Sequence, residues 1–178
     1  MKKIDVLFFV EHKDRELDIT LAISKILKKD YGLNVEIVSL LFEGLTSAIK
    51  FSPKVIITPS TAFGKGSVAW LFFMIYGKKI EYINLNYEQF ISSWKGSYKT
   101  PSNENCIKYQ KQFVWGEYFK NVLTKGGIPE ENISVTGRPL SQLIEENYIK
   151  TKDSSRAEIR NTINIDNQKK WNFIAFTD

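Results

Sequence analysis

One cysteine and one histidine in 178 residues rule out several kinds of chemistry. With Cys106 as the only thiol, no intrachain disulfide can form and no multi-cysteine zinc cluster is available. With His12 as the only histidine, metal sites built on a histidine pair are excluded, and any catalytic histidine must be His12. No metal ion and no bound cofactor are expected. Long apolar runs are lacking too. The strongest, Val68 to Tyr76, falls well short of the ~20 residues a membrane-spanning helix needs. The amino terminus lacks the basic, apolar and small-residue order of a signal peptide, because Ile4 to Val10 is short and runs straight into Glu11. A reducing, cytoplasmic setting is the expectation, and the sequon Asn132-Ile133-Ser134 then has no use.

The composition is that of an ordinary globular domain, with 43% hydrophobic and 25% charged residues. A net charge of +5 and a pI near 9.1 permit an anionic partner without selecting one. No basic helix or nucleic-acid motif is present, so nucleic acid is not an expected partner.

The chain is organised around Ile4 to Asp18 (IDVLFFVEHKDRELD). An unbroken apolar run of strand length ends abruptly in charge, and a helical pattern starts at once. Runs without alternation read as strands buried on both faces, as in parallel α/β sheets, whose carboxyl ends face the ligand crevice. Glu11, His12, Arg15 and Glu16 are therefore placed where such domains bind. Asp14 is a candidate cap for a helix from Arg15 to Tyr31, with lysines in its last turn and Gly32 as its C′ residue. Asn34 to Leu41 reads as a second strand. A short helix around Leu45 to Phe51 follows, stopped by Pro53, and Lys54 to Thr58 reads as a third strand.

The loop Ala62 to Ser67 holds Gly64, Lys65 and Gly66 before the apolar helix Val68 to Tyr76. It lacks P-loop spacing, and reads either as a tight turn or as backbone N–H groups offered to an anion at a helix start. Lys79 to Leu85 reads as a fourth strand. Asn86 to Asn105 is irregular and mixes Trp94, Lys95, Tyr98 and Lys99, a combination that suits a membrane surface, a glycan or packing under a loop. Phe113 to Trp115 is a fifth strand, Glu117 to Lys125 a helix, Ile133 to Val135 a sixth strand, and Leu140 to about Tyr148 a further helix. This order predicts an α/β fold, a Rossmann-like doubly wound and mainly parallel sheet with helices on both faces. Residues 1–149 form that domain and 150–168 a linker with a helix. Residues 169–178 open a truncated second domain or, alternatively, add a strand to the first sheet.

The segment Gln112 to Leu140 (QFVWGEYFKNVLTKGGIPEENISVTGRPL) resembles the end of the N-terminal domain of GT-B glycosyltransferases. There a "WG" opens a helix, a glycine turn follows, and an "I-x-V-T-G-x-P" strand-turn leads to the linker. Val10 to Asp18 resembles the "VE-x-K-x-REL-D" opening of bacterial surface carbohydrate biosynthesis proteins in that group. The late motif, in Gln112 to Leu140, is shared with sugar-nucleotide 2-epimerases and glycerophosphotransferases. Where some relatives carry an acidic cluster after the fourth strand, this chain has Asn86-Tyr87-Glu88-Gln89-Phe90, with one carboxylate.

The resemblance implies the acceptor-side half of an enzyme that moves sugar from a nucleotide-sugar donor to a surface glycan or lipid-linked acceptor, with peripheral contact at the inner membrane face. The fragment alone would be inactive. Such transfer needs a base for the acceptor hydroxyl and a site for the leaving phosphate. Glu11 is the first candidate base, Glu88 the second, and His12 a third, with a structural role for His12 equally open. Arg15 suits an anionic acceptor or an ion pair. Gly137 and Arg138 lie on the late turn, where Arg138 either meets the donor phosphate or braces the linker, and Gly64, Lys65 and Gly66 are the remaining binding candidates. A 2-epimerase-like enzyme and a non-catalytic α/β binding module are the competing readings.

Overall fold

The computed structural model describes residues 1–60, 67–89, 103–139 and 141. The chain divides into two units, Met1–Pro139 and Leu140–Asp178, and the sheet lies wholly in the first. The expected helix after Pro139, the linker helix, the strand at residues 169–178 and the Gly64-Lys65-Gly66 loop lie outside the described residues, as does the Trp94 to Lys99 cluster.

Among the described residues, all six strands are parallel and ordered β2-β1-β3-β4-β5-β6. They are β1 (Lys2–Val10), β2 (Val35–Ser39), β3 (Phe51–Thr58), β4 (Glu81–Asn84), β5 (Gln110–Val114) and β6 (Ile133–Val135). The helices are α1 (Lys13–Tyr31), α2 (Leu40–Lys50), α3 (Val68–Tyr76), α4 (Glu104–Tyr109) and α5 (Glu117–Lys125). This is the Rossmann-like α/β sheet that the alternating pattern predicts. The chain leaves β1 first to one side and then returns to the other, so the order reverses between β1 and β3. That reversal opens a crevice at the carboxyl ends of the two strands.

The strand interiors explain why the sheet is covered on both sides. On β1, Val6 and Phe8 point to one face and meet Ile23 and Leu27 of α1, together with Val35 and Ile57. Leu7 and Phe9 point to the other, where they join Ile56, Ala48 of α2 and Phe72 of α3. Strict alternation of side-chain direction makes an all-apolar strand bury both sets at once. A smaller core of Val114, Phe119, Leu123, Ile128 and Ile133 seats α5 against β5 and β6.

Several boundaries differ from expectation. Helix α1 begins at Lys13, and its N-cap is His12 in an extended conformation without a side-chain capping bond, so Asp14 does not cap it. The buried Glu16 carboxylate takes over that work, as described below. The C-terminal expectation holds, with Gly32 left-handed at φ 66°. Helix α2 starts at Leu40 because the Ser39 hydroxyl accepts from the Phe42 N–H. Its stop does not depend on Pro53, which sits inside β3 opposite Ile4. The ring is tolerated there because β4 pairs with β3 only from Val55 onward, so no ladder bond is lost on that side.

Helix α2 is also turned in an unexpected way. It presents Gly44, Ser47 and Ala48 to the protein and leaves Leu41, Phe42, Leu45 and Ile49 exposed. Close approach to α3 is the reason. A Cβ built on Gly44 would stand 2.6 Å from Val68 Cγ2, inside contact distance. Gly44→Ala is expected to destabilise by about 1–2 kcal/mol, since overpacking of ~1–3 kcal/mol outweighs the ~1 kcal/mol by which alanine is the better helix former. In a Val68→Ala background the same change should stabilise. Chemical denaturation of the four proteins checks that reversal of sign.

Candidate functional site

The carboxyl edge of the sheet gathers the chain's chemistry-bearing side chains. Glu11 and His12 leave β1 at its carboxyl end, and the backbone there is pinned from within. The Glu16 carboxylate, 2% exposed, accepts the N–H of Glu11 at 2.7 Å and of His12 at 3.1 Å. The His12 N–H belongs to the helix start, where donors lack intrahelical partners, and the Glu11 N–H lies just ahead of it. An acid one turn in also suits the positive end of the helix. Glu16 is therefore a structural clamp on the β1–α1 turn. The Glu11 side chain is half-buried and makes no hydrogen bond or ion pair among the described residues, while His12 is exposed.

The segment after β4 folds back toward α1. Leu85 N–H donates to the Thr58 carbonyl at 3.0 Å and Tyr87 N–H to that of Pro59 at 3.2 Å, carrying the chain across the end of β3. Two contacts then join it to α1. Arg15 pairs with Glu88, and Tyr87 Oη lies 3.2 Å from Thr20 Oγ1. The second guanidinium nitrogen of Arg15 is 4.0 Å from Glu16. Both candidate carboxylates and Arg15 thus belong to one edge of the sheet, with Glu88 held by Arg15.

Tyr87 had no counterpart among the expected site residues. Burial pushes its phenol up to about 12, against the Thr20 hydrogen bond, and the Glu16 charge adds to the rise. The folded value is the higher one, so the associated stability is intact below the ~10 of a free phenol and lost as pH climbs toward about 12. Tyr87→Phe should make the loss of stability over that window less steep, measured as denaturation midpoints against pH.

A buried amide network supports this edge from below. Asn84 Nδ2 and Asn86 Nδ2 each donate to Gln112 Oε1 at 3.0 Å. Gln112 Nε2 donates to Gln110 Oε1 at 3.1 Å, and Gln110 Nε2 to Thr58 Oγ1 at 3.2 Å. The Cys106 thiol, pushed up to about 12 by burial, donates to Gln110 Oε1 at 2.8 Å. Asn86 is left-handed at φ 47°, a conformation asparagine tolerates, with its N–H on Asn84 Oδ1 at 2.9 Å. Sequence reading places none of these amides, because Gln110 and Gln112 precede the apolar residues that mark the fifth strand.

Gln89 and the late turn complete the edge. Gln89 Oε1 accepts the Trp115 N–H at 2.9 Å, and Thr136 N–H donates to the Val114 carbonyl at 2.8 Å. Gly137 at φ 77° then reverses the chain. This brings the Arg138 guanidinium over the Trp115 ring at 5.0 Å. The buried indole Nε1 of Trp115 has no hydrogen-bond partner among the described residues. A cavity of about 190 Å³ lies at the end of β3, lined by Leu40, Thr58, Pro59, Ser60, Ser67, Val68 and Ala69. The starts of α2 and α3 flank it, and the Ser67 hydroxyl accepts from Trp70 N–H.

No group of three or more His, Cys, Asp or Glu that could hold a metal ion occurs among the described residues. No helix among them is long and apolar enough to cross a membrane. Neither a protein-family model nor a curated protein matches the chain.

Proposed function

We propose that this domain is the acceptor-side half of a GT-B type glycosyltransferase that acts on a bacterial surface glycan, with a nucleotide sugar as donor and a glycan or lipid-linked acceptor. The observation that supports this reading most is the joining of Arg15 to Glu88. It draws the end of β1 and the segment after β4 together beside the crevice where the strand order reverses. Glu11 acts as the base in this reading. Its carboxylate stands at the mouth of β1 without a partner among the described residues, whereas Glu88 is engaged by Arg15 and serves to orient it. His12 is the second candidate for proton transfer. Arg138, braced on Trp115, offers its guanidinium to an anionic group such as the donor phosphate.

One observation favours a second reading, a non-catalytic binding module. The cavity at the end of β3 is about 190 Å³, smaller than the roughly 300–1,000 Å³ of a typical ligand pocket. Transfer assays on the full-length protein over a panel of nucleotide sugars separate the two. Wild type is compared with Glu11→Gln and Glu88→Gln, with folding checked by circular dichroism. Turnover by wild type that is abolished in Glu11→Gln and weakened in Glu88→Gln is the expected result. Turnover equal in all three would remove both carboxylates from the chemistry, and no turnover of any donor would favour the binding module.

A further inference from the structure

The outward surface of α2 and α3 has a composition that folding alone does not explain. On α2, Leu41, Phe42, Leu45 and Ile49 fall within about 100° of arc at 3.6 residues per turn. All four are exposed, Phe42 at 87% and Ile49 at 77%. On α3, Met74 and Ile75 are exposed as well. The two helices pack against each other through Gly44 and Val68, which sets the exposed apolar residues of both on neighbouring elements. Large contiguous apolar patches are rare on proteins that have no partner.

The charges around this surface identify the partner. Both helices join parallel strands and run against the sheet direction, so their carboxyl-terminal ends share one end of the surface. Lys50, Lys78 and Lys79 are exposed there, and none has a carboxylate within ion-pair distance among the described residues. The only acid on either helix, Glu43, turns inward to accept the Ser39 N–H at 3.1 Å. Nearby carboxylates are already matched within the chain, Asp5 by Lys54, Glu36 by Lys2 and Glu81 by Lys111. A second copy of the same surface would bring apolar residues but no negative charge to meet these lysines. An anionic bilayer supplies both an apolar layer and negative headgroups.

We propose that the outer face of α2 and α3 docks on an anionic membrane, with Leu41, Phe42, Leu45 and Ile49 entering the headgroup boundary and Lys50, Lys78 and Lys79 contacting anionic lipid. The helices then lie flat on the bilayer, and the carboxyl edge of the sheet opens along its surface. This docking is independent of the glycosyltransferase reading, because vesicle binding is measured without turnover.

Flotation of the full-length protein with phosphatidylcholine vesicles, with and without phosphatidylglycerol, tests it. Binding is expected only where the anionic lipid is present, and it should weaken at high salt. The double variant Phe42→Ser/Ile49→Ser and the triple variant Lys50→Glu/Lys78→Glu/Lys79→Glu should each lower partitioning by more than about tenfold. The altered side chains are exposed, so circular dichroism should show both variants folded. Three outcomes would overturn the proposal: no flotation of wild type, flotation that neither variant weakens, or a dimer by light scattering that Phe42→Ser/Ile49→Ser dissolves without any vesicle binding.

Discussion

Gln112→Leu is expected to lower the stability of the domain by about 2–3 kcal/mol, since it removes the acceptor that Asn84 and Asn86 share in a low-dielectric interior. Asn84 Nδ2 keeps Asn86 Oδ1, and Asn86 Nδ2 keeps the Phe113 carbonyl. Gln112 Oε1 is the shared acceptor for Asn84 and Asn86, both buried, and leucine of similar size removes it while keeping the volume filled. Gln110 Oε1 loses a donor at the same time. An unmet buried donor costs more than an average hydrogen bond contributes, so the loss should exceed that of one ordinary hydrogen bond. The effect extends to the candidate site. Asn86 sits in a left-handed conformation immediately before Tyr87 and Glu88, and Gln112 is one of its anchors. Equilibrium denaturation gives the size of the effect. A loss under about 1 kcal/mol would mean that the network contributes only what an ordinary hydrogen bond does.

Glu16→Ala should cost about 2–3 kcal/mol, with hydrogen bonds to a charged group contributing roughly 1.5–3 kcal/mol. The carboxylate holds the N–H groups of Glu11 and His12, and alanine offers neither an acceptor nor a charge at the helix start. Glu16→Gln retains an acceptor and should lose less. A second measurement separates this clamp from general packing. The Glu16 charge helps keep the Tyr87 phenol neutral, so Tyr87 should ionise at lower pH in both variants. Loss of stability without any change in the phenol titration would place Glu16 elsewhere in the energetics.

Much of the fold was legible because it depends on local pattern. The apolar run Ile4 to Val10 could only be buried on both faces, and the charge that follows marked its carboxyl end. The helix from Val68 to Tyr76, the glycine stop at Gly32 and the short strand Ile133–Val135 stand where their composition puts them. The placement of several candidate residues was legible as well. Glu11, His12, Arg15 and Glu88 do lie at one edge of the sheet, and Gly137 does make the turn that carries Arg138.

What was not legible depends on contacts between distant segments. Residue type could not assign Glu16 to a buried clamp, because an acid in the first turn is equally at home in solvent. Tyr87 and Thr20 meet only because the chain after β4 crosses the end of β3. Gln110 and Gln112 look like surface residues in one dimension, yet parallel register sets them beside Tyr82 and Asn84 under α4.

Helix α2 separates the two kinds of information most sharply. Its sequence alone carries an apolar stripe, which by the usual rule faces the core. Its neighbour α3 leaves room only for Gly44, so the small residues go inward and the large apolar ones outward. The succession of strands and helices along the chain, the mainly parallel sheet and the placement of charge at the end of β1 were therefore legible in the sequence alone, since periodicity and strand-end chemistry are local. The order of strands within the sheet came from tertiary pairing. Which carboxylate is clamped, which is paired and which apolar face is left open were decided by tertiary structure, because each depends on the distance between segments that the chain itself keeps far apart.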